Sequence, residues 1–405
     1  MASGITGCAS ARVSDLESDR LFRDGKYDES ASRLREGLTQ QGVTSRDSLL
    51  YLLDLGLVLH TAGKFEESNQ ALAQAEEIAE IKDYTSLATE SATLLTSENI
   101  KDYKGEDFEK VLINAFKALN YASIGAYEDA LVEARLVNRK LHLMVTEGER
   151  NYKQNAFARY LSAILYEAQG EWNDAYVDYK KTQELLPDFP NLGRDLWRVA
   201  RALGMRDEME RWESEYGMDR RELQNLAASR KKSKGAEIIV IFQNGISPVK
   251  QPNPNFVSLP RFFPRYNPVT SASVELNGES RGETQVLHDI ESTAIENLDE
   301  KYAGLIAKKM GGVLAKELLA AKVAERTGSR AMGELTRLIM YASDQADLRS
   351  WNLLPKDLQI LRIPVEPGTY TVRVVPNGAG ALPEKTIEVP VGKKVFVNYR
   401  YVPAF

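Results

Sequence analysis

The residues able to do acid–base or metal chemistry are few and scattered. His60 sits on a helical apolar pattern just before Gly63, His142 lies between Leu141 and Leu143, and His288 stands near a helix start. None belongs to a His-x-x-x-His or His-Glu-x-x-His spacing, which would put two imidazoles on one helix face around a metal. Each reads as a surface or partly packed helical residue. Cys8 is the single cysteine of the 405 residues, so no internal disulfide and no cysteine-rich zinc site is expected. No Gly-x-Ser-x-Gly elbow, phosphate loop or dinucleotide fingerprint occurs. Gly311-Gly312 lacks the Lys-Ser/Thr of a phosphate loop and reads as a flexible joint. Acid pairs such as Glu76-Glu77, Glu106-Asp107 and Asp299-Glu300 fall on polar helix faces. The expectation is a protein with no catalytic residues, no cofactor, no metal and no small-molecule substrate.

A chain this long divides into two or three domains. Hydrophobic residues make up 43% and charged residues 27%, as in soluble globular proteins. Lys and Arg number 52 against 58 Asp and Glu, and they are dispersed, which argues against a nucleic-acid partner. No apolar run approaches the ~20 residues that span a bilayer.

The elements that position any site begin with a repeat. Glycine, one residue, an aromatic, and then a small residue recur four times: Gly25-Lys26-Tyr27 with Ser30, Gly63-Lys64-Phe65 with Ser68, Gly125-Ala126-Tyr127 with Ala130, and Gly170-Glu171-Trp172 with Ala175. Each glycine ends one amphipathic helix and starts another, where positive φ is needed. The ring is expected between the two helices, and the small residue lets them cross closely. The pattern resembles the tetratricopeptide repeat (TPR). Leu52, Leu55, Gly56, Leu59, Leu72 and Ala75 carry it in the second copy, and Tyr166, Tyr179, Thr182 and Pro187 in the fourth. Ser18 and Ala118 stand where the family has glycine. The long gap between the second and third copies predicts an extra helix pair, Tyr84–Ser97 and Phe108–Tyr121, and Asp195–Leu203 with Arg206–Tyr216 a capping half-repeat. The resemblance implies an α-solenoid over 15–217 whose groove, lined by the first helices, binds protein. Asp54 and His60, polar on an otherwise apolar first helix, are candidate groove contacts.

Residues 218–235 carry Arg220, Arg221, Arg230, Lys231, Lys232 and Lys234 and read as a solvated basic linker. From Ala236 the texture turns to β-branched runs. Glu237–Phe242, Ser273–Leu276, Gln359–Ile363, Tyr370–Val375, Thr386–Val389 and Val395–Tyr401 read as strands of an antiparallel sheet. Helices are predicted over Asp289–Arg326 and Ala331–Ala342. The fold class is thus α plus α+β: a TPR-like solenoid, then a β-sandwich-like domain at 236–405 with a helical insertion. The final strands resemble immunoglobulin-like modules of bacterial envelope proteins. The composition shift predicts that 236–405 folds without the repeats.

Two further segments could bind. Leu259-Pro260-Arg261-Phe262-Phe263-Pro264-Arg265-Tyr266 is expected to be a stiff extended loop. Arg261, Phe262, Phe263, Arg265 and Tyr266 form either a partner anchor or a cover for a sheet edge. The apolar face of Lys308–Glu325 suits docking to a partner or membrane surface, or burial against the sheet, and burial is the favoured reading.

Ile5-Thr6-Gly7-Cys8-Ala9-Ser10 resembles the lipobox of bacterial lipoproteins, in which the cysteine is acylated and becomes the mature N-terminus. Only seven residues precede Cys8, without Lys, Arg or an apolar core, so a signal peptide would lie upstream of Met1 or the chain has been trimmed. Together with Ala118-Leu119-Asn120-Tyr121, Ile241-Phe242-Gln243-Asn244-Gly245 and Asp347-Leu348-Arg349-Ser350-Trp351, this start is similar to a family of proteobacterial TPR lipoproteins. The resemblance implies lipidation of Cys8 and membrane attachment through fatty chains such as palmitate. Ala9, rather than Asp, after the cysteine implies the periplasmic face of the outer membrane. The leading expectation is a lipid-anchored, non-catalytic protein that binds a protein partner. The alternatives are a cytoplasmic TPR adaptor in which Cys8 is incidental, and a regulator of a cell-wall enzyme.

Overall fold

The computed structural model describes residues 16–42, 45–89, 102–146, 155–342 and 345–403. Cys8 lies outside them. The first half is a run of helices: α1 (Leu16–Arg23), α2 (Tyr27–Gln41), α3 (Ser48–Thr61), α4 (Phe65–Thr89), α5 (Asp107–Ser123), α6 (Tyr127–Thr146), α7 (Ala156–Gln169), α8 (Trp172–Leu185), α9 (Leu192–Ala202) and α10 (Arg206–Glu215). They pack as TPR-like hairpins, α1 with α2 through α9 with α10. Gly25, Gly63, Gly125 and Gly170 all take φ between +75° and +80°, and the following amide returns to a carbonyl of the helix just ended, as Lys64 does to Leu59. Ser30, Ser68, Ala130 and Ala175 are fully buried at the crossings. Both serines stay satisfied there: the Ser68 hydroxyl donates to the Gly56 carbonyl at 2.6 Å, and Ser30 to Ser18 at 2.9 Å. A methyl on Gly56 would meet Leu72 at 2.5 Å, so the helices of this hairpin touch backbone to side chain.

Three local expectations change here. Tyr84 does not start a new helix, because α4 runs on to Thr89; the rest of that predicted element lies outside the described residues. Tyr27 and Phe65 pack on the helix just ended, 5.5 Å from Phe22 and 5.7 Å from His60, as expected, but these rings, like Tyr127 and Trp172, are half-buried and not fully enclosed. The basic linker contains a helix, α11 (Arg220–Ser233), whose N-cap Asp219 accepts from the Glu222 amide at 2.7 Å. That capping signal is local and outweighs the polar composition.

The second half carries β1 (Glu237–Asn244), β2 (Val249–Asn253), β3 (Phe256–Phe263), β4 (Ala272–Leu276), β5 (Glu279–Glu283), β6 (Gln285–Asp289), α12 (Ile290–Thr327), α13 (Arg330–Ala342), β7 (Asp357–Pro364), β8 (Gly368–Pro376), β9 (Lys385–Val389) and β10 (Lys394–Arg400). They form sheets ordered β10-β1-β7-β6, β2-β3 and β5-β4-β8-β9. The first is mixed, a correction to the antiparallel expectation: β10 runs parallel to β1, with Glu237 opposite Lys394. Turn residues announce hairpins, but β1 and β10 are joined by most of the domain and no turn reports their pairing.

All eight positions of β1 are buried because both faces of its sheet are covered. Ile238, Val240 and Phe242, with Leu361, Ile363, Val397 and Tyr399, pack on Val274, Leu276, Val372, Val374 and Val389 of the β5-β4-β8-β9 sheet. On the other face Ile239, Ile241, Leu358, Ile360 and Phe396 join the core of the helical array. The boundary near 235 is therefore a change of secondary structure and not a break between cores. Against the expectation of independent folding, cutting there would expose one face of the sheet.

Pro252 and Pro260 sit opposite each other in the β2–β3 ribbon, so residues 259–263 of the predicted stiff loop are strand in a two-stranded sheet, while Pro264, Arg265 and Tyr266 follow outside any strand. Two prolines facing one another forfeit donors in one place, which a ribbon tolerates. Asp289 caps α12 by accepting from the Ser292 amide at 3.0 Å, and the helix runs through Gly311-Gly312 without a joint. Its first turns bury Ile290, Ala294 and Leu298. From Ile306 to Thr336, Ala320 and Gly333 are the buried positions among the described side chains, at the crossing with α13. The described side chains of Lys308–Glu325 are not buried against the sheet, contrary to the favoured reading, because they run past it toward α13.

Candidate functional site

The first helices of the hairpins face the sheet. Helices α3 and α5 contact β10, and α7 contacts β6, so the surface that a TPR array would offer to a partner is covered by the chain's own second half. His60 shows how closely. It is buried at the end of α3, with Gln243 of β1 donating to Nε2 at 2.6 Å and Nδ1 contacting Asn120 Oδ1 of α5 at 2.5 Å. An amide oxygen only accepts, so Nδ1 carries the proton and the ring is neutral. Burial presses its pKa down to about 4, against the hydrogen bond to Asn120. Asn120 passes the chain on, donating to Ser68 Oγ at 2.9 Å and Asn69 Oδ1 at 2.8 Å. His60 does point into the groove, but at the chain's own strand. Asp54 is half-buried on α3.

A second, charged contact closes the other end. Arg362 of β7 reaches Glu237 of β1 at 2.7 Å, Glu167 of α7 at 3.1 Å and Asp195 of α9 at 3.1 Å. Lys394 of β10 bridges Glu237 at 2.6 Å and Glu167 at 2.9 Å. Arg198 of α9 pairs with Asp195 at 2.6 Å and with Glu167. Three carboxylates and three cations balance, all six side chains are at least nine-tenths buried, and the pairs cross from helices to sheet. Tyr179 donates to Glu167 at 2.9 Å, and the Tyr160 hydroxyl to Asp195. Buried charges persist when each is paired and hydrogen-bonded like this.

A third contact involves the start of α5 and the turn before α3. Glu109 of α5 accepts from the Trp351 amide at 2.6 Å and from the Tyr103 hydroxyl at 2.5 Å. Burial and the neighbouring Glu106 raise its carboxyl to about 7. Burial would raise Glu106 as well, but Lys250 at 2.5 Å and Lys301 at 3.3 Å outweigh it and hold that carboxyl at about 2. Arg349 reaches Asp47 at 2.7 Å.

The β2–β3 ribbon divides the remaining candidates. Phe262 is buried, edge-on to Phe108 of α5 at 6.1 Å, and anchors the ribbon to the helices. Arg261 points outward, and Phe263 and Arg265 are half-buried. Tyr266 is 78% exposed, and Phe256 and Val257 at the ribbon tip are 57% and 72% exposed. His142 is exposed on α6, and His288 is half-buried, its pKa lowered to about 4 by burial. The three histidines therefore stand in different parts of the fold.

Sequence reasoning missed the charged network. Its signal is single charges inside apolar runs: Glu237 before Ile238-Ile239-Val240, Arg362 within Ile360-Leu361-Arg362-Ile363, and Glu167 after Ile164-Leu165-Tyr166. A lone charge on a face that must be buried predicts an opposite charge across the interface, though not which one.

No protein-family model matches the chain, and no curated protein matches it. Among solved structures it is similar to a crystal structure of MamA protein, at 14% identity and a TM-score of 0.36 over 55% of this chain and 94% of that one. It is also similar to MamA from Desulfovibrio magneticus RS-1, at 14% and 0.34 over 55% and 97%. A Podosopora anserina putative kinesin light chain with nearly identical TPR-like repeats is similar at 13% and 0.35 over 56% and 100%.

Proposed function

We propose that this protein is a non-catalytic scaffold of the bacterial envelope, held to the periplasmic face of the outer membrane by acylation of Cys8, and that it binds a protein partner. We read its two facing four-stranded sheets as a β-sandwich-like unit with α12–α13 inserted, and the repeats as the frame that clasps this unit. With the first helices occupied by β10 and β1, partner binding falls to the β2–β3 ribbon. The supporting observation is this segment's split character: Phe262 fixes it to α5, while Phe256, Val257 and Arg261 of β3, and Tyr266 three residues past its end, stand in solvent. Aromatics and arginine on a fixed support supply binding energy with little ordering cost.

The test places a photo-crosslinking amino acid at Tyr266 or Phe256, with Val132 of α6 and Val177 of α8 as exposed controls. Tyr266 and Phe256 should both trap the same protein and the controls should not. Arg261→Ala with Tyr266→Ala should then weaken the purified complex more than about tenfold with little change in melting temperature. Equal trapping at all four positions would remove the ribbon from the reading. Fatty-acid labelling of the gene with its leader tests the anchor separately: label should depend on Cys8, and label surviving Cys8→Ser would exclude it.

A further inference from the structure

We infer that the distal half of the α12–α13 hairpin is a membrane-surface element that lies in the headgroup region of an anionic bilayer. This goes beyond the lipid anchor and does not depend on it.

Past Ile306 the hairpin meets no other element closely enough to bury a described side chain outside the crossing at Ala320 and Gly333. At that crossing a methyl on Gly333 would lie 2.7 Å from Ala324 Cβ, so the two helices are tightly joined and the hairpin is a rigid unit. Two helices cannot hide all their apolar surface in each other. Met310, Leu314 and Leu318 remain about two-thirds exposed, and Ile306, Val313, Leu319, Met332 and Leu335 are also exposed. Ile306, Met310, Leu314 and Leu318 follow one another at intervals of four, so they form a stripe winding slowly around α12, roughly 18 Å long at 1.5 Å per residue. Soluble surfaces scatter apolar residues singly; a continuous stripe has an occupant.

Charge selects which. Between 306 and 337 there are seven basic residues against three acidic ones, Glu317, Glu325 and Glu334, in a chain whose total balance is −6. Lys322, Arg326 and Arg330 are exposed around the hairpin's end. A basic, amphipathic element on an acidic protein complements a phosphate-rich surface. Long Lys and Arg stems let apolar side chains sink while the charges stay among headgroups. Among the described residues no helix is long and apolar enough to cross a membrane, so the element is read as lying along the surface.

The test uses full-length protein with Cys8→Ser, so that no acyl chain contributes, and sedimentation with phosphatidylcholine vesicles with or without phosphatidylglycerol. Binding to the anionic vesicles should exceed binding to neutral ones by more than about tenfold and should fall with salt. Leu314→Ser with Leu318→Ser, and separately Lys322→Glu with Arg326→Glu, should each lower it by about tenfold or more at unchanged melting temperature. Val132→Ser with Val177→Ser should leave it unaltered. Leu314→Trp provides a second readout: its fluorescence should shift to the blue with anionic vesicles and be quenched by brominated chains. Equal binding to both vesicle types, no binding, or no effect of the hairpin variants would overturn the inference. So would a concentration-dependent dimer abolished by Leu314→Ser with Leu318→Ser in place of vesicle binding, which would make a second copy the occupant.

Discussion

Replacing Arg362 with Met should uncouple the sheet from the helices more than any change on the surface. The guanidinium pairs with Glu237 at 2.7 Å and with Glu167 and Asp195 at 3.1 Å, inside a balanced set of three carboxylates and three cations. Each such pair carries roughly 4 kcal/mol of gross attraction at an effective dielectric near 20, most of it offset by stripping water from the charges. Met keeps the stem's apolar packing but leaves three buried carboxylates facing Arg198 and Lys394. Breaking a buried pair from one side costs about 3–5 kcal/mol, and that is the expected loss. Urea unfolding followed by circular dichroism and by tryptophan fluorescence would measure it. Three of the four tryptophans, Trp172, Trp197 and Trp212, report the helical array and Trp351, buried 5.8 Å from Phe116 of α5, adds the interface to the fluorescence signal, while circular dichroism is dominated by the helices. Both probes should give one coincident transition at lower urea. Pairing the change with Glu237→Gln restores charge balance, and the double variant should recover about 1–3 kcal/mol relative to the sum of the singles. A loss under about 1 kcal/mol, additive singles, or a fluorescence transition that shifts while the helical one stays fixed would refute the idea that this network joins the halves.

A fragment spanning 236–405 should fail to fold on its own, with weak dispersion in proton NMR, because Ile239, Ile241, Leu358, Ile360 and Phe396 would face water; a dispersed spectrum would show that the shared core is dispensable. Trp212 is fully buried and its indole donates to Tyr176 at 2.9 Å, so Trp212→Ala should cost about 3–5 kcal/mol, against about 1–2 for the half-buried Trp172; thermal unfolding would rank them. His60 titrates near 4 when folded and near 6.5 when unfolded. The unfolded chain therefore binds the extra proton, and stability present above pH 6.5 is lost as pH falls toward 4, by about 3 kcal/mol. His60→Asn should flatten that part of the stability profile, and an unchanged slope would place the titration elsewhere.

The helical half was legible because its signals are local. A glycine at positive φ, a ring two residues on and a small residue after that specify a tight helical turn whatever surrounds it, and the turns at Gly25, Gly63, Gly125 and Gly170 follow the pattern. Six of the ten strands were legible for the same reason, since β-branched runs bounded by Asn-Gly and Pro-Gly need no partner to be recognised, whereas the polar or proline-bearing β2, β3, β5 and β6 were not. Tertiary structure decided what those elements touch. The five-residue run Ile238–Phe242 announces a strand covered on both faces, yet nothing in it names the helical array as one of the covers. His60 was visible as a polar residue on an apolar helix, but its role as a link between β1 and α5 depends on Gln243 and Asn120, which are remote in sequence and brought to it by the fold. The same holds for Arg362, whose three carboxylates come from β1, α7 and α9. The apolar stripe of α12 was visible as well. That it lies exposed rather than against a sheet follows from where α12 outruns its supports, a length relation between elements that no single segment carries.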